Sequence, residues 1–150
     1  MRISRDEMFM RIAHVVAERG TCPRAKVGAV LVDKHNRIRS IGYNGSPPNK
    51  PHCEDVGCDI QDGHCKRSIH AEINAIKFAS FLTGPYEQYD VGYTLYVTHR
   101  PCDNCKEQII RSGRIQRVVY DIPYRYNGSD VHEVGGVIFE RYTKPEVQTL

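Results

Sequence analysis

His70 and Glu72 stand two apart in the stretch HAE, and further along Cys102 and Cys105 stand three apart behind Pro101. One imidazole and two thiolates make three zinc ligands and leave the fourth position open. That open position separates a catalytic zinc from a structural one, and zinc can bring the pKa of water held there to about 7. Glu72 lies beside His70 without needing to bind the metal. It can take the water's proton and hand it to a leaving amine. Each motif alone is weak. A single HxE is far more often surface helix, and a single CxxC serves redox or structural zinc sites about as often as catalytic ones. Together they are much more specific.

These side chains need elements to hold them. Ser4 and Glu7 suggest a capping box, followed by Phe9, Ile12, Ala13 and Val16 at helical spacing, with Gly20 as the stop. KVGAVLVD and IRSIGY read as two strands of a hairpin around KHNR. From Asn44 to Arg67 periodicity disappears. The stretch is too long for an ordinary connection, which points to a functional or metal-organised segment. Ile69, Ile73 and Ile76 resume helical spacing behind Ser68, a candidate N-cap. GYTLYVTH reads as a strand, Asp103 to Arg111 as a helix stopped by Gly113, and IQRVVYD as another strand. GVIFERY, after the polar turn YNGSD, reads as an edge strand. Alternating helices and strands predict an α/β fold, one central sheet covered by helices, in a single domain over residues 1–150. His70 and Cys102 then fall near two helix N-termini, whose field favours thiolate and hydroxide.

Composition sets limits. Of 150 residues, 40% are hydrophobic and 26% charged, which is ordinary globular usage. Apolar runs such as VGAVLV are too short to span a bilayer, and MRISRDEMFM lacks the core of a secretory signal. The expected compartment is the cytoplasm, or a host's cytoplasm if the chain is viral. Six cysteines there point to metal binding over disulfides. The net charge of +3 permits a phosphorylated substrate and gives no sign of a duplex-binding surface.

HxE followed by PCxxC is the pattern of zinc nucleobase deaminases. The stretches TCPRAKVGAVLVD, GYNGSPPNKPHC, GHCKRSIHAEINAI and TLYVTHRPCDNCKEQIIRSGRIQRVVY resemble the cytidine deaminase superfamily, and within it the deoxycytidylate (dCMP) deaminases of bacteria and phages. The resemblance implies a three-layer α/β/α fold with one central mixed sheet. It implies hydrolytic deamination of dCMP to dUMP and ammonia. His70, Cys102 and Cys105 would hold Zn2+, and Glu72 would shuttle the proton. Backbone around Ala71, with Asn44 and Tyr124, would meet the base or sugar. Arg24 and Arg125 are candidates for the 5′-phosphate, to which a guanidinium can donate two parallel bonds.

GYNG has two readings: a strand-ending turn in which Gly42 and Gly45 supply backbone freedom, or, by the resemblance, an effector site formed with Tyr43. There dCTP would activate and dTTP inhibit, with Mg2+ on the triphosphate. The resemblance also implies a homo-oligomer, often a hexamer. Some relatives carry a second, structural zinc near Cys22, Cys53, Cys58, His64 and Cys65. Cys22 and Cys53 are the foremost ligands and the rest of the set stays open, against the alternative of free buried thiols. The final segment, YNGSDVHEVGGVIFERY, departs from the resemblance. Rival readings are a deaminase of dCTP or of a tRNA adenosine, and a non-catalytic zinc-organised module. The tRNA reading lacks a basic face with interleaved aromatics. The module has no use for Glu72.

Overall fold

The computed structural model describes residues 1–123 and 131–144, apart from the side chain of His64. Tyr124 and Arg125 fall outside the described residues. Helix α1 (Arg5–Ala17) begins where Ser4 Oγ accepts from the Glu7 N–H at 3.1 Å. That is half of the capping box. The Glu7 carboxylate turns instead to Arg11, one helical turn on, at 2.8 Å.

Strands β1 (Gly28–Val32) and β2 (Ile38–Tyr43) form the expected antiparallel hairpin. With β5 (Tyr93–His99), β6 (Ile115–Ile122), β7 (Val131–Val134) and β8 (Val137–Arg141) they make one sheet in the order β2-β1-β5-β6-β8-β7. The sheet is mixed. β1 pairs antiparallel with β2 and β5, β5 and β6 run parallel, as do β6 and β8, and β7 turns back against β8. β1 is buried on both faces, as its unbroken apolar run requires. Val30 and Val32 pack with Phe9, Met10 and Ala13 of α1. Ala29 and Leu31 pack on the other side with Ala71 and Ala75 of α3 (Ala71–Lys77) and Ile109 of α4 (Asp103–Ser112). The architecture is therefore three layers, α/β/α.

Three expectations need correcting. β8 is an inner strand, and the edge is β7, whose sequence VHEV is too polar to announce itself. The helix expected behind Ser68 starts at Ala71, so its N-cap is His70 and Ser68 caps nothing. Neither Gly42 nor Gly45 has a positive φ, so backbone freedom is not what selects them. Gly42 is a packing glycine: a Cβ there would lie 2.2 Å from the Ala71 carbonyl oxygen and 2.5 Å from the Ala75 nitrogen. Only a bare backbone lets α3 lie this close to β2.

The aperiodic stretch contains elements too short to show a period. They are α2 (Cys53–Val56) and a small antiparallel ladder of β3 (Ile60–Gln61) and β4 (His64–Cys65). No helix among the described residues is long and apolar enough to cross a membrane.

Candidate active site

The parallel β5-α4-β6 unit places one half of the site. β5 ends at His99, and the chain turns through Arg100 and Pro101 so that Cys102 is the N-cap of α4. Cys105 follows within the first turn and is buried. The other half comes from α3. Gly45 and Ile69 exchange backbone hydrogen bonds of 3.1 and 2.8 Å, tying the end of β2 to the residue before His70. His70 Nδ1 then lies 3.2 Å from Cys105 Sγ and 3.6 Å from Cys102 Sγ.

The donor atoms of His70, Cys102 and Cys105 all fall within 4.8 Å of one another. Zn–S bonds near 2.3 Å and Zn–N bonds near 2.0 Å in a tetrahedron hold ligand atoms about 3.5–3.8 Å apart. The site is close to those spacings, and its two sulfurs and one nitrogen are a zinc donor set. His70, Cys102 and Cys105 fit the ion.

Electrostatics follow from the crowding. The Cys105 thiol donates toward Cys102, and His70 and the Cys105 backbone N–H add to this, bringing Cys102 down to about 3. The same Cys102 sulfur, together with burial, pushes Cys105 far up. Contact with Cys102 raises His70 despite burial. Glu72 is only 4% exposed. Burial raises its pKa, although the Cys105 thiol and the His70 charge pull the other way. A carboxyl can both accept and return a proton.

Glu72 and His70 line a cavity of about 280 Å³. Ala71, the first residue of α3, forms part of its wall, and no side chain caps that helix. Asn44 is also in the wall. Its Oδ1 accepts from Val27 N–H at 2.8 Å, and its Nδ2 donates to the Ala25 carbonyl at 2.6 Å. Its amide thus fixes the segment that carries Arg24. Arg24 is exposed at the cavity, with a long contact of 3.4 Å to the Gly63 carbonyl. His99 lines the cavity too, its pKa lowered by burial. Gly42, Tyr43 and Gly45 are not among the residues that line the cavity. Gly42 and Gly45 are buried, and the Tyr43 carbonyl accepts from Asn74 at 2.9 Å.

A second cluster stands beside the first. Cys22 Sγ lies 3.7 Å from Cys58 Sγ, Cys53 Sγ lies 3.4 Å from Cys65 Sγ, and all four sulfurs fall within 4.8 Å of one another. Four thiols at these spacings match a closed tetrahedral zinc site. Cys58 and Cys65 stand with Cys22 and Cys53, while the side chain of His64, the other candidate, lies outside the described residues. Burial works against a Cys65 thiolate, but N–H groups of Ser68, Asp59 and Arg67 and the Cys53 thiol outweigh it and bring Cys65 to about 7. Burial and the neighbouring Cys65 raise Cys53 to about 12. Cys22 and Cys65 also line the cavity that His70 and Cys102 line, so the two clusters share a wall.

Sequence reasoning missed Arg100. It lines the cavity and belongs to the same short connection as Cys102. A single arginine carries no sequence pattern that could have marked it.

Residues 3–122 match the cytidine and deoxycytidylate deaminase zinc-binding region. The ComE operon protein 2 of Bacillus subtilis (strain 168) is 40% identical over 148 residues, covering 97% of this chain and 75% of that one. The deoxycytidylate deaminase of Mycobacterium phage D29 is 38% identical over 126 residues, covering 77% of this chain and 92% of that one. The crystal structure of dCMP deaminase from the cyanophage S-TIM5 in complex with dCMP and dUMP superposes with a TM-score of 0.69 at 27% identity, covering 95% of this chain and 99% of that one.

Proposed function

The chain belongs to the cytidine and deoxycytidylate deaminase family, and from that premise we propose that it hydrolyses dCMP to dUMP and ammonia. The observation that carries this reading is the buried Glu72 carboxyl beside the donor set of His70, Cys102 and Cys105, on the wall of one cavity. A closed structural site has no use for an acid there.

When bound, zinc supplies the Lewis acidity that makes water a competent nucleophile near neutral pH. His70, Cys102 and Cys105 would hold it. Glu72 accepts one proton from water as oxygen attacks C4 and passes it to the ring nitrogen beside C4. It then takes the proton of the new C4 hydroxyl and gives it to the amino group, which leaves as ammonia while the C4 oxygen becomes the carbonyl of dUMP. The backbone at Ala71 orients the pyrimidine carbonyl edge. Asn44, buried in the wall, positions base or sugar. Arg24 grips the 5′-phosphate from the exposed side of the cavity. Tyr124 and Arg125 complete the substrate contacts in this reading. The cluster of Cys22, Cys53, Cys58 and Cys65 would hold a second, structural zinc.

The same proposal includes regulation. dCTP with Mg2+ activates and dTTP inhibits, through the turn at Gly42, Tyr43 and Gly45, in a homo-oligomer, often a hexamer in this family. The exposed Ile38 and Ile41 on the edge strand β2 support assembly. The reaction belongs to the cytoplasm, where the six free thiols suit a reducing environment. Purified protein given dCMP, dCTP, deoxycytidine and cytosine, with ammonia followed over time, tests the assignment. dCMP should be the preferred substrate. Preferred release from dCTP, or no release from any of the four, would overturn it.

A further inference from the structure

Arg100 is at a junction. Besides the catalytic cavity it lines an adjoining groove of about 840 Å³, and the two spaces share His70, Cys102, Ser68 and Cys65. Its backbone N–H is fixed to the Ile122 carbonyl at 2.9 Å, which anchors the residue at the carboxyl end of the parallel strands. Its guanidinium lies over the Tyr120 ring, 5.8 Å from the centroid. Among the described residues no carboxylate pairs with it: each ion pair there uses another cation.

The surroundings are cationic. Lys106 lies one turn into α4, its Nζ 3.1 Å from His132 Nε2. Lys66 lines the groove as well. Asp103 also lines the groove, and among the described residues it forms no ion pair with Arg100 or Lys106. A guanidinium with no ion pair to a carboxylate is stabilised by an anion.

A second observation concerns Ser68. Released from capping, its Oγ is buried and has no hydrogen-bond partner among the described residues, and Ser68 lines both the cavity and the groove. A buried hydroxyl without a partner is rare in a folded protein and marks a place where a ligand can supply one.

We infer that Arg100, assisted by the Ser68 hydroxyl, is a specificity-determining residue that binds the 5′-phosphate of the substrate where the catalytic cavity opens into the groove. The assignment rests on the dCMP reading and adds a second cation to Arg24. Arg24 reaches the cavity from the segment before β1, and Arg100 reaches it from the connection before α4. The nucleotide's charged end lies between them while its base is turned toward Glu72. A 5′-nucleotide is then preferred over its nucleoside because only the nucleotide answers both guanidinium groups.

The test compares wild type, Arg100→Ala, Arg100→Lys and Ser68→Ala, each loaded with zinc. kcat/KM is measured on dCMP and on deoxycytidine, and the affinities of dUMP and deoxyuridine are measured by calorimetry. Arg100→Ala should lose about tenfold or more on dCMP and dUMP, the scale of a charge-assisted contact, and leave the nucleosides unchanged. The loss should fall on KM more than on kcat. Arg100→Lys should recover part of it, and Ser68→Ala should show a smaller loss of the same selectivity. Equal losses on nucleotide and nucleoside with a lowered melting temperature would make Arg100 a structural residue stacked on Tyr120 and overturn the inference. Unchanged selectivity would overturn it equally. Failure of wild type to release ammonia from dCMP would instead count against the deaminase reading. The dUMP-to-deoxyuridine binding ratio still decides the role of Arg100 in that event.

Discussion

At the scale of single residues, the site depends on placing one carboxyl where water does not solvate it. Glu72 is buried beside the ligand set, and burial raises its pKa. Glu72→Gln keeps the shape and removes the proton acceptor. It should retain zinc and melting temperature and lose at least ~100-fold in turnover, the scale of a general acid–base group. Metal content and rate measured on one sample check this, and near-normal turnover would remove Glu72 from the mechanism. The proposed role of Arg24 is different, and the residue is exposed. Arg24→Ala should cost about tenfold or more in kcat/KM on dCMP and little on deoxycytidine. A loss shared equally by both substrates would mean that Arg24 only braces the Gly63 segment. HAE and PCDNC were legible in the sequence because metal ligands come in few types and spacings. Arg100 and Ser68 were not. A lone arginine or serine has no pattern, and only the fold shows that Ser68 is not a cap.

Between elements, glycine and cysteine do the positioning. At Gly42 a methyl group would collide with the backbone of α3 at 2.2 Å. Gly42→Ala should therefore push α3 away from β2, and His70 and Glu72 with it. A lower melting temperature together with weaker zinc retention at the catalytic site is the expected outcome. The cysteine clusters can be separated by paired variants. Fully loaded wild type should hold two zinc ions per chain. Cys53→Ser should lose one and lower the melting temperature. Cys102→Ser should lose the other and abolish turnover with less effect on stability. One ion per wild-type chain after reconstitution in excess metal would leave Cys22, Cys53, Cys58 and Cys65 as ordinary thiols. The hairpin, α1, α4 and the alternation that gives a three-layer fold were readable from periodicity. The knuckle of α2, β3 and β4 was not, since two- to four-residue elements show no period. Nor was β7, whose pairing with β8 comes from tertiary position and not from its own hydrophobicity.

Across the whole molecule, one ionic network joins the first helix to the sheet. Arg117 on β6 donates to both carboxylate oxygens of Asp6 at 2.9 and 2.8 Å and also to Glu140 on β8, while the Tyr96 hydroxyl donates to Asp6 at 2.7 Å. The Arg117 guanidinium beside it holds Asp6 below its ordinary 3.8, against the effect of burial. A depressed folded-state pKa gives stability that is present above the unfolded value and is lost as pH falls through the folded one. The melting-temperature difference between wild type and Asp6→Asn should be level above about pH 4 and shrink below it. A difference independent of pH would show that the pair contributes nothing by its charge. Under the proposed regulation, the rate against dCMP should be sigmoidal alone and hyperbolic with dCTP and magnesium, a coupling of about 1–3 kcal/mol. A curve indifferent to dCTP and dTTP would rule regulation out. The four-thiol cluster bears on how the chain reaches its fold. β1 has to find β5 across the long excursion that contains α2 and α3, pairing residues 29–32 with 94–97. A metal ion gripping Cys22 and Cys65 early would shorten the effective loop before any strand pairs. Each halving of a loop is worth only about 0.6 kcal/mol of closure entropy, but non-local pairing sets the pace in sheets of this kind. Zinc in the refolding buffer should then speed the main folding phase of wild type and leave that of Cys53→Ser unchanged, so the ion would guide the search for the native topology as well as bracing the finished wall.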